Sequence, residues 1–161
     1  VTYRARVVTA STRAAAGQWD DTSGPILVDG LRTLGLDVDG PVVVADGEPV
    51  RTALRQAVAD GIDLVVTTGG TGHTPRDLTP EMTLQVIDRQ SPGLAEAIRA
   101  YGVAHGVPTA VLSRGVAGLA GSTLIVNAPG SNGGARDAVA ALSPVLLHAL
   151  DQVHGGDHRR A

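Results

Sequence analysis

A chain of 161 residues, 43% of them hydrophobic and 18% charged, is long enough for one buried core and too apolar to be disordered. A net charge of −3, with two Tyr, one Trp and no Phe, gives no basic surface for nucleic acid or an anionic membrane and little to stack on the bases of nucleic acid. The absence of Cys excludes disulfides, zinc–thiolate sites and cysteine nucleophiles, and because all 13 basic residues are Arg there is no phosphate-gripping, Schiff-base or general-base lysine.

Residues 6–10 read as a first strand, ending in a polar loop over 11–24. Residues 25–36 have helical spacing, with Pro25 near the start, Ile26, Leu27, Leu31 and Leu34 apolar, and Gly35 or Gly40 to end it. Val42-Val43-Val44 is a second strand, running into Asp46-Gly47-Glu48. Over 50–60, Leu54, Ala57 and Val58 share one helical face. Residues 64–68 form a third strand, with the unbroken apolar run of a strand buried on both faces. After a glycine-rich loop, helices are predicted at about 79–88 and 93–105. Ala110-Val111-Leu112 and Leu124-Ile125-Val126 supply two more strands, and 131–153 the final helix.

This alternation predicts a single α/β domain, three-layered α/β/α with a mostly parallel central sheet, over residues 1–154. Residues 155–161 read as a polar C-terminal tail that frays, so the helical spacing of His154 and His158 is assigned to that tail and not to a metal. No run approaches the roughly 20 apolar residues that span a bilayer, and the short one over 5–10 is followed by charge. No membrane span or signal peptide is therefore expected, and the expected location is cytoplasmic.

Ligands of such sheets sit beyond the carboxyl ends of the strands. Each predicted strand leads into a polar or glycine-rich segment: Ser11-Thr12-Arg13, Asp46-Gly47-Glu48, Gly69-Gly70-Thr71-Gly72, Ser113-Arg114 and Asn127-Ala128-Pro129-Gly130-Ser131. Gly69, Gly70 and Gly72 would let backbone N–H groups approach an anion, with Thr71 adding a hydroxyl, although a tight turn alone would also call for these glycines. The spacing is neither a dinucleotide fingerprint nor a Walker loop. In the continuation, Arg76-Asp77 is free to point at a ligand or to pair locally, and Thr79-Pro80-Glu81 reads as a helix start with Thr79 as its cap.

Asp46 closes its own strand, so Asp46 and Asp77 can face one cleft as a carboxylate pair suited to Mg²⁺ beside phosphate. The other reading is that Asp46 caps the helix near Pro49. Pro129-Gly130-Ser131 precedes a helix whose free N–H groups could hold an anion, or Ser131 is a plain cap. Arg114 at a strand end suits phosphate oxygens. His73 lies in the central loop, facing either substrate or solvent.

Thr67-Thr68-Gly69-Gly70-Thr71-Gly72, followed by Pro75-Arg76-Asp77-Leu78-Thr79-Pro80-Glu81, resembles the signature of the Mog/MoaB family of molybdenum cofactor biosynthesis proteins, also found in the gephyrin G domain. Leu112-Ser113-Arg114 and Gly121-Ser122-Thr123-Leu124-Ile125-Val126-Asn127-Ala128-Pro129-Gly130-Ser131 are similar to its second half, and Asp21-Thr22-Ser23-Gly24-Pro25 to its early Asp-x-Ser-Gly segment. The resemblance extends over about residues 4–152.

That resemblance implies a three-layer fold, usually a homotrimer, and transfer of AMP from ATP with Mg²⁺ to the terminal phosphate of molybdopterin, releasing pyrophosphate. A molybdate-inserting MoeA-type protein is the implied partner. By position, Asp46 and Asp77 would be the catalytic, Mg²⁺-linked carboxylates, and Gly69, Gly70, Thr71 and Gly72 would cradle phosphate. Ser113, Asn127, Gly130 and Ser131 would line the pterin and nucleotide pocket. The family often has Ser-Asp after the first strand, where this chain has Ser11-Thr12 and so one acid fewer. Its Pro-Gly loop continues Ser131-Asn132-Gly133-Gly134, without the Pro or Lys common there. A MoaB-like molybdopterin-binding protein with little or no transferase activity is the alternative.

Overall fold

Strands β1 (Arg4–Ala10), β2 (Asp37–Val44), β3 (Leu64–Thr68), β4 (Arg89–Gln90), β5 (Ala117–Ala120) and β6 (Thr123–Ala128) join in one sheet in a computed structural model that describes residues 1–156. The order is β2-β1-β3-β6-β5-β4. The first four of these run parallel, while β5 lies antiparallel to β6 and β4 antiparallel to β5. Around them pack α1 (Thr12–Ala15), α2 (Ser23–Thr33), α3 (Glu48–Ala59), α4 (Thr79–Leu84), α5 (Pro92–Ala104), α6 (Asn132–Leu142) and α7 (Leu146–Val153).

Alternate strand residues face opposite ways, which produces the layers. Val7, Leu64, Val66, Leu124 and Val126 meet Leu27 and Leu31 of α2, Ile98 of α5, Leu142 of α6 and Leu146 and Leu150 of α7. Val8, Val65 and Ile125 meet Val50, Leu54 and Ala57 of α3 and Met82 of α4. Each of these large side chains contributes about 1.5–3 kcal/mol on burial, so both helical layers are bound firmly to the sheet.

Several elements differ from the sequence expectations. α2 begins at Ser23, and β2 starts at Asp37 because Gly35, at φ +92°, turns the chain straight into the sheet. Residues 110–112 are not a strand. They belong to a 3₁₀ turn, Pro108–Leu112, with Val111 64% and Leu112 51% exposed. The sheet takes β5 in their place, a segment with no β-branched residue that is held by pairing with β6. α4 stops at Leu84, short of residue 88. The long last helix is two helices, because Pro144 cannot donate to the preceding turn and clashes with it.

His154 is not frayed. Its Nε2 lies 2.8 Å from Asp63 Oδ1 and its ring stacks on Tyr3 at 5.4 Å, while Tyr3 donates to Asp151 Oδ1 (2.5 Å). This clasp ties the end of α7 to the starts of β1 and β3. His158 and the remainder of the expected tail, 157–161, lie outside the described residues. Among the described residues no helix is long and apolar enough to cross a membrane.

From β1 the strand order runs to β2 on one side and to β3 and β6 on the other. Loops leaving β1 and β3 therefore diverge at the carboxyl end of the sheet, opening a crevice where parallel sheets bind ligands.

Candidate active site

The loop after β3 is fixed by close approach. Gly69 (φ +94°) and Gly70 (φ +67°) occupy the left-handed region, and a Cβ there would stand 2.3 Å from the Ala10 carbonyl oxygen or 2.2 Å from Thr79 Oγ1, respectively. The loop thus lies flat against the end of β1 and the start of α4, where Thr79 N donates to the Gly70 carbonyl (3.0 Å). Thr79 is not the cap of α4. It is the first helical residue, and its fully buried hydroxyl, facing Gly70, has no hydrogen-bond partner.

Two carboxylates border this loop. A Cβ on Gly70 would be 3.2 Å from Asp46 Oδ1, and one on Gly72 2.8 Å from Asp77 Oδ2. Asp46 Oδ2 accepts from Thr12 Oγ1 (2.8 Å) and Thr12 N (3.2 Å), and Asp46 N donates back to Thr12 Oγ1 (3.2 Å). It does not cap α3, which starts from Gly47 without a side-chain bond. Asp77 Oδ2 accepts from Thr74 N (2.9 Å). Arg76 is exposed and shares one cavity with both carboxylates.

No cluster of three or more His, Cys, Asp or Glu among the described residues could hold a metal. A pair of carboxylates with hydroxyls nearby is too small for a dedicated cage. It fits a hard cation that keeps several waters and takes phosphate oxygens from a substrate.

Two residues expected to contact ligand are directed elsewhere. Arg114 donates Nε to the Gly72 carbonyl (2.8 Å), Nη2 to the Asp77 carbonyl (2.6 Å) and Nη1 to Glu81 Oε1 (2.6 Å), and its backbone N to the Thr71 carbonyl (2.9 Å). Its planar fork clamps the loop that carries Asp77, where the sequence suggested phosphate oxygens. Asn127 is 2% exposed, with Nδ2 donating to Thr67 Oγ1 and Thr83 Oγ1 (both 3.0 Å) and Oδ1 accepting from Val116 N (3.1 Å). It ties β6 to β3 and α4 beneath the site and lines none of the three cavities that meet at the glycine loop. Asp21 accepts from Thr9 Oγ1 (2.8 Å) and from Gly24 N (3.0 Å).

Three cavities meet at the glycine loop. The first, about 410 Å³, is bounded by Gly70, Thr71, Gly72, Asp77, Ser113, Pro129, Gly130 and Ser131, with Ile98, Val107 and Leu112 as an apolar wall. Ser131 also caps α6, accepting from Gly134 N (3.0 Å). Asp137 of α6 lines this cavity half-buried. Arg99 on its rim donates to the carbonyls of Ser113 and Gly115. The second cavity, about 230 Å³, is lined by Ser11, Thr12, Trp19, Asp46, Arg76 and Asp77, and the third, about 300 Å³, by Trp19, Asp21, Ser23, Thr68, Gly69 and Gly130. His73 is exposed and lines none of them.

Neither Asp137 nor Trp19 stands out in the sequence. Asp137 follows Ser131 and Gly134 at intervals of three, which puts all three near one side of α6, the signal that could have found it.

Residues 6–148 match the family model MoCF_biosynth, described as a probable molybdopterin binding domain. A molybdenum cofactor biosynthesis bifunctional protein of Chlorobaculum tepidum is 36% identical over 157 residues, 96% of this chain and 50% of the relative; the chain spans about half the length of that protein. A molybdopterin adenylyltransferase of Helicobacter pylori is 35% identical over 156 residues, covering 92% of this chain and 86% of the relative. The solved structure of the Mog protein from Mycobacterium ulcerans is similar with a TM-score of 0.89 and 52% identity, over 94% of this chain and 99% of that one. Matched across nearly all of the described sheet and helices, the chain belongs to the MoCF_biosynth family of probable molybdopterin binding domains.

Proposed function

We propose that the chain is a molybdopterin adenylyltransferase of molybdenum cofactor biosynthesis, with ATP as co-substrate and Mg²⁺ held by Asp46 and Asp77. The observation that carries this reading is the position of both carboxylates against one glycine loop that is a common wall of cavities on either side. Two anionic substrates can then approach from opposite sides and meet at the loop. The names of full-length relatives such as the Helicobacter pylori protein support the same reaction.

In it, an oxygen of the terminal phosphate of molybdopterin attacks the α-phosphorus of ATP. The bond from that phosphorus to the bridging oxygen breaks, giving adenylyl-molybdopterin and pyrophosphate. Backbone N–H groups of Gly70 to Gly72, the amino end of α6 and exposed Arg76 hold the phosphates in line, while the Gly69 N–H is taken by the Ala128 carbonyl (3.3 Å). Mg²⁺, when bound, offsets the repulsion between the two anions and the charge on the departing pyrophosphate. No covalent enzyme intermediate is required. In the first cavity Ile98, Val107 and Leu112 offer a flat ring an apolar wall, and the Asp137 carboxylate can accept N–H bonds from the amino edge of a pterin.

With this reading go a cytoplasmic homotrimer, hand-over to a molybdate-inserting MoeA-type partner, and residues 1–154 as the functional domain with 155–161 as its tail. One observation favours a second reading, a MoaB-like protein that binds molybdopterin with little transfer: Thr12 stands where the family often has an acid, and it already occupies Asp46 Oδ2 with two donors.

The deciding assay supplies purified protein with molybdopterin, Mg²⁺ and ATP labelled at the α-phosphate. Labelled adenylyl-molybdopterin that disappears in Asp46→Asn and Asp77→Asn is the expected result. Molybdopterin binding without label transfer would establish the second reading.

A further inference from the structure

Trp19 is the only Trp of the chain, and it is 59% exposed in the segment between α1 and α2. A large aromatic surface left in water gives up stabilisation that a core position would have supplied. What holds the ring in place is local: the Arg13 carbonyl accepts from Gln18 N (2.9 Å) and Trp19 N (3.4 Å), and the Arg13 guanidinium carbon lies 4.3 Å from the ring centroid. Arg13 makes no ion pair among the described residues, so its charge is directed at the ring and at the cavity it lines.

The position of this pair is informative. Trp19 is shared by the second and third cavities, the two on the β1 side of the glycine loop, and it borders the same space as Asp46, Asp77 and Gly70. A flat π-surface with a cation over it stands beside a phosphate cradle and its carboxylates. That combination suits a ligand with a planar base at one end and phosphates at the other.

We propose that Trp19 is the stacking platform for the adenine base of ATP, with Arg13 as the cation beside it. The inference rests on the adenylyl-transfer reading, and it assigns the first cavity to the pterin. Stacking uses the face of the base and not its edge, so the platform favours purines over pyrimidines by contact area without distinguishing adenine from guanine.

Because Trp19 is the only Trp, its emission reports its own surroundings. Wild type, Trp19→Ala and Trp19→Tyr, each with Mg²⁺, are titrated with ATP and with inorganic tripolyphosphate, by Trp fluorescence where the residue is present and by calorimetry throughout. In wild type, ATP is expected to quench the emission and tripolyphosphate to bind without doing so. Trp19→Ala should loosen ATP on the order of 10- to 100-fold while leaving tripolyphosphate affinity unchanged, and Trp19→Tyr should restore most of the loss. ATP that binds wild type and Trp19→Ala equally tightly, or tripolyphosphate that quenches as strongly as ATP, overturns the platform and leaves adenylyl transfer standing. Absence of any calorimetric ATP binding in wild type overturns both.

Discussion

Gly70→Ala puts the loop geometry to a quantitative test. At φ +67° an L-residue costs about 1–2 kcal/mol. The added methyl would also stand 2.2 Å from Thr79 Oγ1, 3.1 Å from Thr79 Cβ and 3.2 Å from Asp46 Oδ1. Thr79 is fully buried in the first turn of α4 and cannot swing into solvent, so the contact adds an overpacking cost of about 1–3 kcal/mol. The variant should lose about 2–5 kcal/mol of stability in urea unfolding followed by far-ultraviolet circular dichroism. Thr79→Ala deletes a hydroxyl without a partner and should lie within about 1 kcal/mol of wild type. Added to that background, Gly70→Ala should cost less than in wild type, the backbone share of about 1–2 kcal/mol plus the milder contacts with the Cβ of residue 79 and Asp46 Oδ1, which leaves a positive coupling between the two positions. Equal stability of Gly70→Ala and wild type, or equal losses in both backgrounds, would refute the close approach of loop and helix.

Asp46→Asn and Asp77→Asn should each lower adenylyl transfer on the order of 100-fold or more, with ATP affinity in calorimetry changed far less. Arg114→Ala should lower turnover by releasing the segment that carries Asp77, and Arg114→Lys should recover only part of it, since an ammonium cannot span the Gly72 and Asp77 carbonyls and Glu81 together. Asn127→Leu strands the Val116 N–H and should cost about 1–3 kcal/mol in the same unfolding assay. Hydrogen bonds from Arg6 and then Gln56 hold the Asp60 carboxyl below its ordinary value. A lowered folded value stabilises the protein above the unfolded carboxylate value and is lost as pH falls through the folded one, so Arg6→Gln should flatten the acid side of a Tm-against-pH profile.

What could be read from the chain depended on how local each cause is. The run Leu64-Val65-Val66 announces a strand buried on both faces, and the loop after it announces a close-approach turn, because both signals lie within a few residues. Ala110-Val111-Leu112 looks like a strand by composition, yet Pro108 starts a tight turn and no neighbouring strand is available to pair with it. Ala117-Gly118-Leu119-Ala120 has weak strand composition and becomes one through β6. Pro144 is a local break inside residues 131–153, and the structure divides that helix there. Asp46 and Asp77 were legible as a pair because strand ends converge by topology. The roles of Arg114 and Asn127 were not, since their partners come from loops and helices distant in sequence, and only packing shows which donors are already taken.

The clasp of Tyr3, Asp63, Asp151 and His154 brings the two described ends of the chain together at the pole of the molecule opposite the glycine loop. A chain leaving from either described end sets out from the back, away from the mouth of the site. The same fold can therefore be spliced into a longer protein as a self-contained cassette, without rebuilding its working face. The half-length match to the bifunctional Chlorobaculum tepidum protein is what such portability makes possible.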